Sequence, residues 1–339
     1  MKGESMSKIV TVASGKGGVG KSVTVANLGL ALAARDRSVI LADLDVGGSN
    51  LATLFGVFGD GPDLGAFFSH AVDDLADVVR PLWRNLSLIV GAGDTLATAN
   101  PNWGMKQRLL RHLSSLDADV VIVDVGAGAG SHALDFFNAG EIRILVTVPE
   151  PTASVDAYRF IKLATIRESV TRVSTRNPDR RIFERKNFES AQDVWESIDA
   201  TGHSSKCPAL DVRATAPTIM PATAPTTTPT TTPWVIVNQA EDARRSFERL
   251  QLVTRRFMGR NLRLFGEVPR SADVRDSVNN FLPVVEAKPD SPAAMAFKSI
   301  ARKLDDELTR VSRSGGSMKV ESPKGSELPD LSRAWSLAP

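Results

Sequence analysis

Cysteine is almost missing from the sequence: Cys207 stands alone among 339 residues. That excludes a disulfide framework and any intramolecular site built from paired thiolates, and it suits a reducing, cytoplasmic setting. Neither charge is in surplus, with 41 Lys and Arg against 39 Asp and Glu. Overall charge therefore gives no pull toward nucleic acid or a membrane surface. Long apolar runs are lacking too, and no window approaches the roughly 18 residues of a membrane-spanning helix. The first apolar run, 9–14, is too short for a secretory leader and passes directly into glycine-rich sequence. What remains is ordinary globular composition, 42% hydrophobic and 24% charged, in a chain near the upper size for one core.

Short β-branched runs alternate with helical patterns, which predicts an α/β fold with a mostly parallel twisted sheet and helices on both faces. Strands are expected at 9–14, 39–43, 86–90, 120–124, 142–148, 234–238 and 262–268, most of them continuous apolar runs. Helices are expected at 22–35, 103–116, 132–139 and 153–168. A last amphipathic helix carries Phe297, Ile300, Ala301, Leu304, Leu308 and Val311 on one face. One domain is therefore expected over 1–168 and 234–312. Between its parts, 169–233 turns polar and then Thr/Pro-rich, a composition that favours a disordered insertion. The tail 313–339, with Gly315, Gly316 and several Ser and Pro, reads as disordered in the same way.

Gly15, Gly17, Gly18 and Gly20 follow the first strand and precede the first helix, meeting the pattern GxxxxGK[ST] with Lys21 and Ser22. Backbone N–H groups of such a loop turn inward around phosphate oxygens, the lysine meets the β- and γ-phosphates, and the serine hydroxyl suits Mg2+. The nucleotide-binding stretch runs from Gly15 through Lys16, Val19 and Ser22 to Val23. The strand at 120–124 ends in Asp124, the arrangement that holds Mg2+, usually through water. The strand at 39–43 ends in Asp43, with Asp45 two residues on, so both carboxylates point toward the ligand-binding edge of the sheet. Asp43 is a further candidate metal ligand; the alternative for both is a turn or cap carboxylate.

A second lysine, Lys16, sits beside the first glycine of the loop. With it, Lys16-Gly17-Gly18-Val19-Gly20-Lys21-Ser22 resembles the deviant Walker A motif of the MinD/ParA superfamily, P-loop NTPases of the SIMIBI class. Asp45-Val-Gly-Gly-Ser-Asn50, Gly91-Ala-Gly-Asp94, Leu134-Asp-Phe-Phe and Val148-Pro-Glu150-Pro-Thr152 look like its MinD-like branch, which includes FlhG. The resemblance covers roughly 8–168 and 234–312. It implies an ATPase using ATP and Mg2+, and a homodimer when ATP is bound, with Lys16 reaching the partner's nucleotide. By the same resemblance Asp45 positions or activates the attacking water, and Asp43 supports the metal and switch region. Asn238 and Pro269 then frame the adenine, with Asn238 the base contact.

The implied role is a slowly hydrolysing switch that positions or counts a cellular machine, together with an unidentified activating or cargo protein. Its setting is cytoplasmic, or peripheral at a membrane or pole. Two features depart from the branch: few residues precede the first strand, and the tail lacks the Lys/Arg excess of a membrane-binding helix, which weakens a membrane surface as partner. The alternative function is a ParA-type partition ATPase binding nonspecific DNA, through Arg244, Arg245, Arg249, Arg255, Arg256, Arg260 and Arg263. The bland reading of those arginines is the solvated face of a helix. An iron–sulfur carrier is disfavoured by the lone cysteine, and a GTPase by Asn238-Gln-Ala-Glu where a guanine-reading NKxD would stand.

Overall fold

The computed structural model describes residues 6–45, 48, 50–59, 61–92, 103–174, 233–241, 243–258 and 261–315. Its strands are β1 (Lys8–Ser14), β2 (Val39–Leu44), β3 (Val79–Trp83), β4 (Leu86–Ile89), β5 (Val120–Ala127), β6 (Ile142–Thr147), β7 (Trp234–Ala240) and β8 (Arg263–Pro269). They form one sheet in the order β3-β4-β2-β5-β1-β6-β7-β8. Every neighbouring pair is parallel except β3 with β4. The helices are α1 (Lys21–Ala33), α2 (Leu51–Leu54), α3 (Leu64–Phe68), α4 (Trp103–Ser115), α5 (Ser131–Ala139), α6 (Pro151–Ser174), α7 (Ala243–Met258), α8 (Ala272–Asn279), α9 (Val284–Ala287) and α10 (Pro292–Gly315).

Continuous β-branched strands are what a sheet covered on both faces demands, and successive residues do feed opposite cores. Val10 and Val12 of β1 join Leu28 and Leu32 of α1 and Phe297, Ile300 and Leu304 of α10. Ile9 and Ala13 of the same strand face Leu109, Phe137, Phe160 and Leu250 from α4, α5, α6 and α7. All of α1 but Ser22 and Val23 is buried, because the helix lies between the sheet and α10. Ion pairs fix that packing at its outer end: Arg35 and Arg37 meet Asp305 at 2.8 and 2.7 Å, and Arg37 donates to Thr309 at 2.9 Å.

The seven expected strands are present within one to three residues of their bounds, the largest difference being β5, which continues past Asp124 to Ala127. The structure adds β3, whose sequence Val-Arg-Pro-Leu-Trp reads poorly as a strand. Its proline is tolerated because β3 is an edge strand with one neighbour. Helix α6 runs to Ser174 rather than stopping near 168; Ser169, polar in sequence, is accommodated by folding its hydroxyl back onto the Thr165 carbonyl at 3.1 Å. Most of the insertion expected at 169–233, and the tail beyond Gly315, lie outside the described residues.

The order of strands positions the site. From β1 the chain moves to one side for β2 to β5 and to the other for β6 to β8. The crevice opened at that reversal lies beyond the C-terminal ends of β1 and its neighbours, where open α/β sheets bind ligands.

Candidate functional site

The turn from β1 into α1 is built from glycines for a steric reason. Gly18 and Gly20 have φ of 77° and 83°, the left-handed region that side chains with a Cβ avoid. A Cβ at Gly17 or Gly18 would meet nothing within 4 Å, so that side of the loop opens onto free space. Gly20 is the N-cap of α1 and offers no side-chain cap. The first N–H groups of the helix are therefore available to an anion. The loop is tied down at both ends: Ser14 donates to the Lys16 carbonyl at 3.0 Å, Gly128 N–H donates to the Ser14 carbonyl at 3.0 Å, and Asn238 Nδ2 donates to the Val19 carbonyl at 2.8 Å.

Lys21 is buried and reaches two carboxylates, Asp124 Oδ1 at 2.5 Å and Asp45 Oδ2 at 3.3 Å. Burial by itself pulls its ammonium down. Asp124, by charge and by hydrogen bond, with Asp45 and Asp43 adding charge, outweighs that and holds the Lys21 pKa above the ordinary lysine value. Within β5, which runs on to Ala127 rather than ending at the carboxylate as the sequence suggested, Asp124 is buried with Asp43 opposite it in register on β2. Burial pushes its carboxyl up to about 6, Lys21 working against the rise and Asp43 with it. The two partners differ in what they show: the lysine is charged in this pair, while Asp124 is short of stabilisation for its negative charge.

That shortage has a visible cause. Asp124 Oδ2 is buried without a hydrogen-bond partner among the described residues. An orphaned carboxylate oxygen beside the Ser22 hydroxyl and a glycine-lined opening fits a divalent cation that brings its own water. No group of three His, Cys, Asp or Glu among the described residues converges as a self-sufficient metal cage. The donor set suits Mg2+, which keeps waters and takes phosphate oxygens rather than demanding an all-protein shell.

Asp43 and Asp45 separate in role. Both Asp43 oxygens are engaged by backbone, Oδ1 by the Asp45 N–H and Oδ2 by the Leu51 N–H, each at 3.0 Å. It thereby anchors the two ends of the segment leading into α2. Asp45 is half-buried, and a Cβ at Gly48 or Gly126 would crowd its carboxylate. Lys16 stands apart on the outer face of the loop, its Nζ on Glu150 Oε2 at 2.7 Å and near Thr152 Oγ1 at 3.4 Å. Val23 lies half-buried in the first turn of α1. Asn238 is buried near the end of β7, and Pro269 closes β8 as the register partner of Ala240.

A family model described as ParA, NUBPL iron-transfer P-loop NTPase, matches residues 5–173, about half of the chain. The chain belongs to the MinD/ParA family of P-loop ATPases. Among this family's proteins, the antiactivator FleN of Pseudomonas aeruginosa is 26% identical over 300 residues, which cover 88% of this chain and 86% of FleN. The flagellum site-determining protein YlxH of Helicobacter pylori is 32% identical over 170 residues, 46% of this chain and 53% of YlxH. The septum site-determining MinD of Pyrococcus horikoshii, solved with Mg-ADP, superposes with a TM-score of 0.60 at 21% identity, over 93% of this chain and all of that one. At that identity the likeness shows the shared MinD/ParA fold. The iron-transfer wording belongs to the family model; Cys207, the one cysteine here, lies outside the described residues.

Two site contacts escaped the sequence reading. Glu150 as the partner of Lys16 and Asn238 as a tether of the loop lie 134 and 219 residues from their partners, and no local pattern announces them.

Proposed function

We propose that the chain is a switch ATPase of MinD/FlhG type: it binds ATP with Mg2+, dimerises around it, hydrolyses it slowly, and thereby places or counts a cellular assembly. The observation that carries this is the meeting of Lys21 with Asp124 and Asp45 at 2.5 and 3.3 Å beneath a glycine loop whose second lysine, Lys16, stays on the outer face. In this reading Gly15 to Val23 and Lys21 bind the phosphates, and Ser22 and Asp124 hold the Mg2+. Asp43 supports the metal from behind by fixing 45–51, Asp45 orients the attacking water, and Asn238 and Pro269 flank the base. ATP supplies the phosphoanhydride that is cleaved; the protein's work is positioning and charge stabilisation.

Lys16 is half-exposed and paired with Glu150 on its own chain, an arrangement from which it can be drawn to a second nucleotide across an interface. Light scattering on the Asp45→Ala protein tests the switch. A dimer that forms with Mg·ATP, is absent with ADP, and is lost when Lys16→Ala is added supports it. A monomer under all three conditions removes the dimerising mechanism.

A second reading, nonspecific DNA binding, is favoured by α7. Arg245, Arg249 and Arg256 lie exposed along one face of that helix, with the exposed Leu252 between them, the layout of a stripe for phosphates. Arg263 does not join them: it is paired with Glu307 at 2.8 Å and stacked over Trp234. Retention on mixed-sequence DNA must weaken steeply with salt; retention indifferent to salt removes this reading.

A further inference from the structure

Asn238 is placed to do more than meet a base. Its side-chain nitrogen donates to the Val19 carbonyl inside the phosphate loop, in a buried contact of 2.8 Å. The same nitrogen occupies the space that a Cβ on Gly20 would need, so the side chain also holds the left-handed turn of Gly20 from behind. The backbone around it is adapted to that task. The β7–β8 register breaks between Val237 and Ala240, and Gln239 adopts φ 53°, a region non-glycine residues seldom enter. The irregularity thus falls at the residues beside Asn238, where its side chain meets the loop.

We propose that Asn238 is a positioning residue for the phosphate loop, fixing the Val19–Gly20 turn and hence the direction of the N–H groups that meet phosphate. The inference rests on the nucleotide-site reading above.

Inorganic tripolyphosphate separates loop positioning from base contact, because it has phosphates and no base. Calorimetric titration of the full chain with Mg2+ and tripolyphosphate, and with Mg·ATP, is compared for wild type and Asn238→Ala. The expected result is a loss of about five- to tenfold in affinity for tripolyphosphate as well as for ATP, the scale of one buried hydrogen bond. Unchanged tripolyphosphate affinity with weakened ATP overturns the proposal and leaves Asn238 a base contact alone. A wild-type protein that binds neither ligand instead removes the nucleotide-site reading. If Asn238→Ala does not fold, hydrogen exchange on Asn238→Ser decides. Faster exchange confined to the amides of 19–21 supports the tether, and unaltered protection there overturns it.

Discussion

Asp124 and Lys21 concentrate the chemistry of the molecule in one contact. The lysine holds a place beside a carboxylate that is itself short of donors, so substitution of the carboxylate acts on stability and on ligand binding at once. In Asp124→Asn the Lys21 ammonium loses its nearest negative charge and keeps Asp45, at 3.3 Å, and the more remote charge of Asp43. A loss of about 1–3 kcal/mol in urea unfolding is expected from the weakened buried pair. Mg2+ with ADP should raise the Tm of the wild type, and that rise should vanish in the variant. A variant protected by Mg2+ and ADP as fully as its parent would remove Asp124 from the metal site. Residues such as these were legible because their signal is local: glycines, Lys21 and Ser22 fall within eight positions after a strand. The partners of Lys16 and Asn238 were not, since which distant strand end faces the loop is decided by sheet order.

At the scale of elements, the central strands and long helices could be read from composition because burial on both faces leaves little choice of residue. The short pieces could not. α3 and α8 start on Asp63 and Ser271, whose side chains accept from Ala66 and Asp273 N–H groups, but neither helix is long enough to show a period. Strand β3 hid behind Pro81. α7 was visible as a basic segment, and the fold makes it a helix whose apolar side, Leu250 among it, is buried. Its exposed arginines therefore can be removed without touching the core. The triple change Arg245→Ala, Arg249→Ala and Arg256→Ala should cost no more than about 0.5 kcal/mol per substitution in urea unfolding, the usual scale at a surface. If α7 meets DNA, the same change should lower the salt dependence of retention by up to about three phosphate contacts. An unchanged salt slope, in a protein that does bind DNA, places the DNA elsewhere.

For the whole molecule, acid is the informative stress. Asp135 joins three helices: from α5 it meets Lys106 of α4 at 2.5 Å and Arg167 of α6 at 2.7 Å. Burial alone would raise its carboxyl, but Arg167 and Lys106 more than reverse this and hold it below the usual range. Asp305, between α10 and the end of α1, behaves alike: burial raises it and Arg37 with Arg35 lowers it further. A carboxylate whose pKa is depressed by folding contributes stability that is complete above its unfolded value and is lost as pH falls through the folded one. Stability should therefore decline below about pH 4. The double variant Asp135→Asn, Asp305→Asn should be less stable near pH 7 and show a flatter acid limb in urea titrations at stepped pH. An acid limb as steep as the parent's would place the sensitive carboxylates elsewhere.

The packing of α10 on α1 also has a consequence for the growing chain. α1 is synthesised well before Phe297, Ile300, Leu304 and Leu308 of α10, which cover it. While the ribosome works through everything between, the helix behind the phosphate loop has an apolar flank turned to water, and non-local closure of that kind is slow. The phosphate loop thus gains its full backing only once α10 has docked on α1.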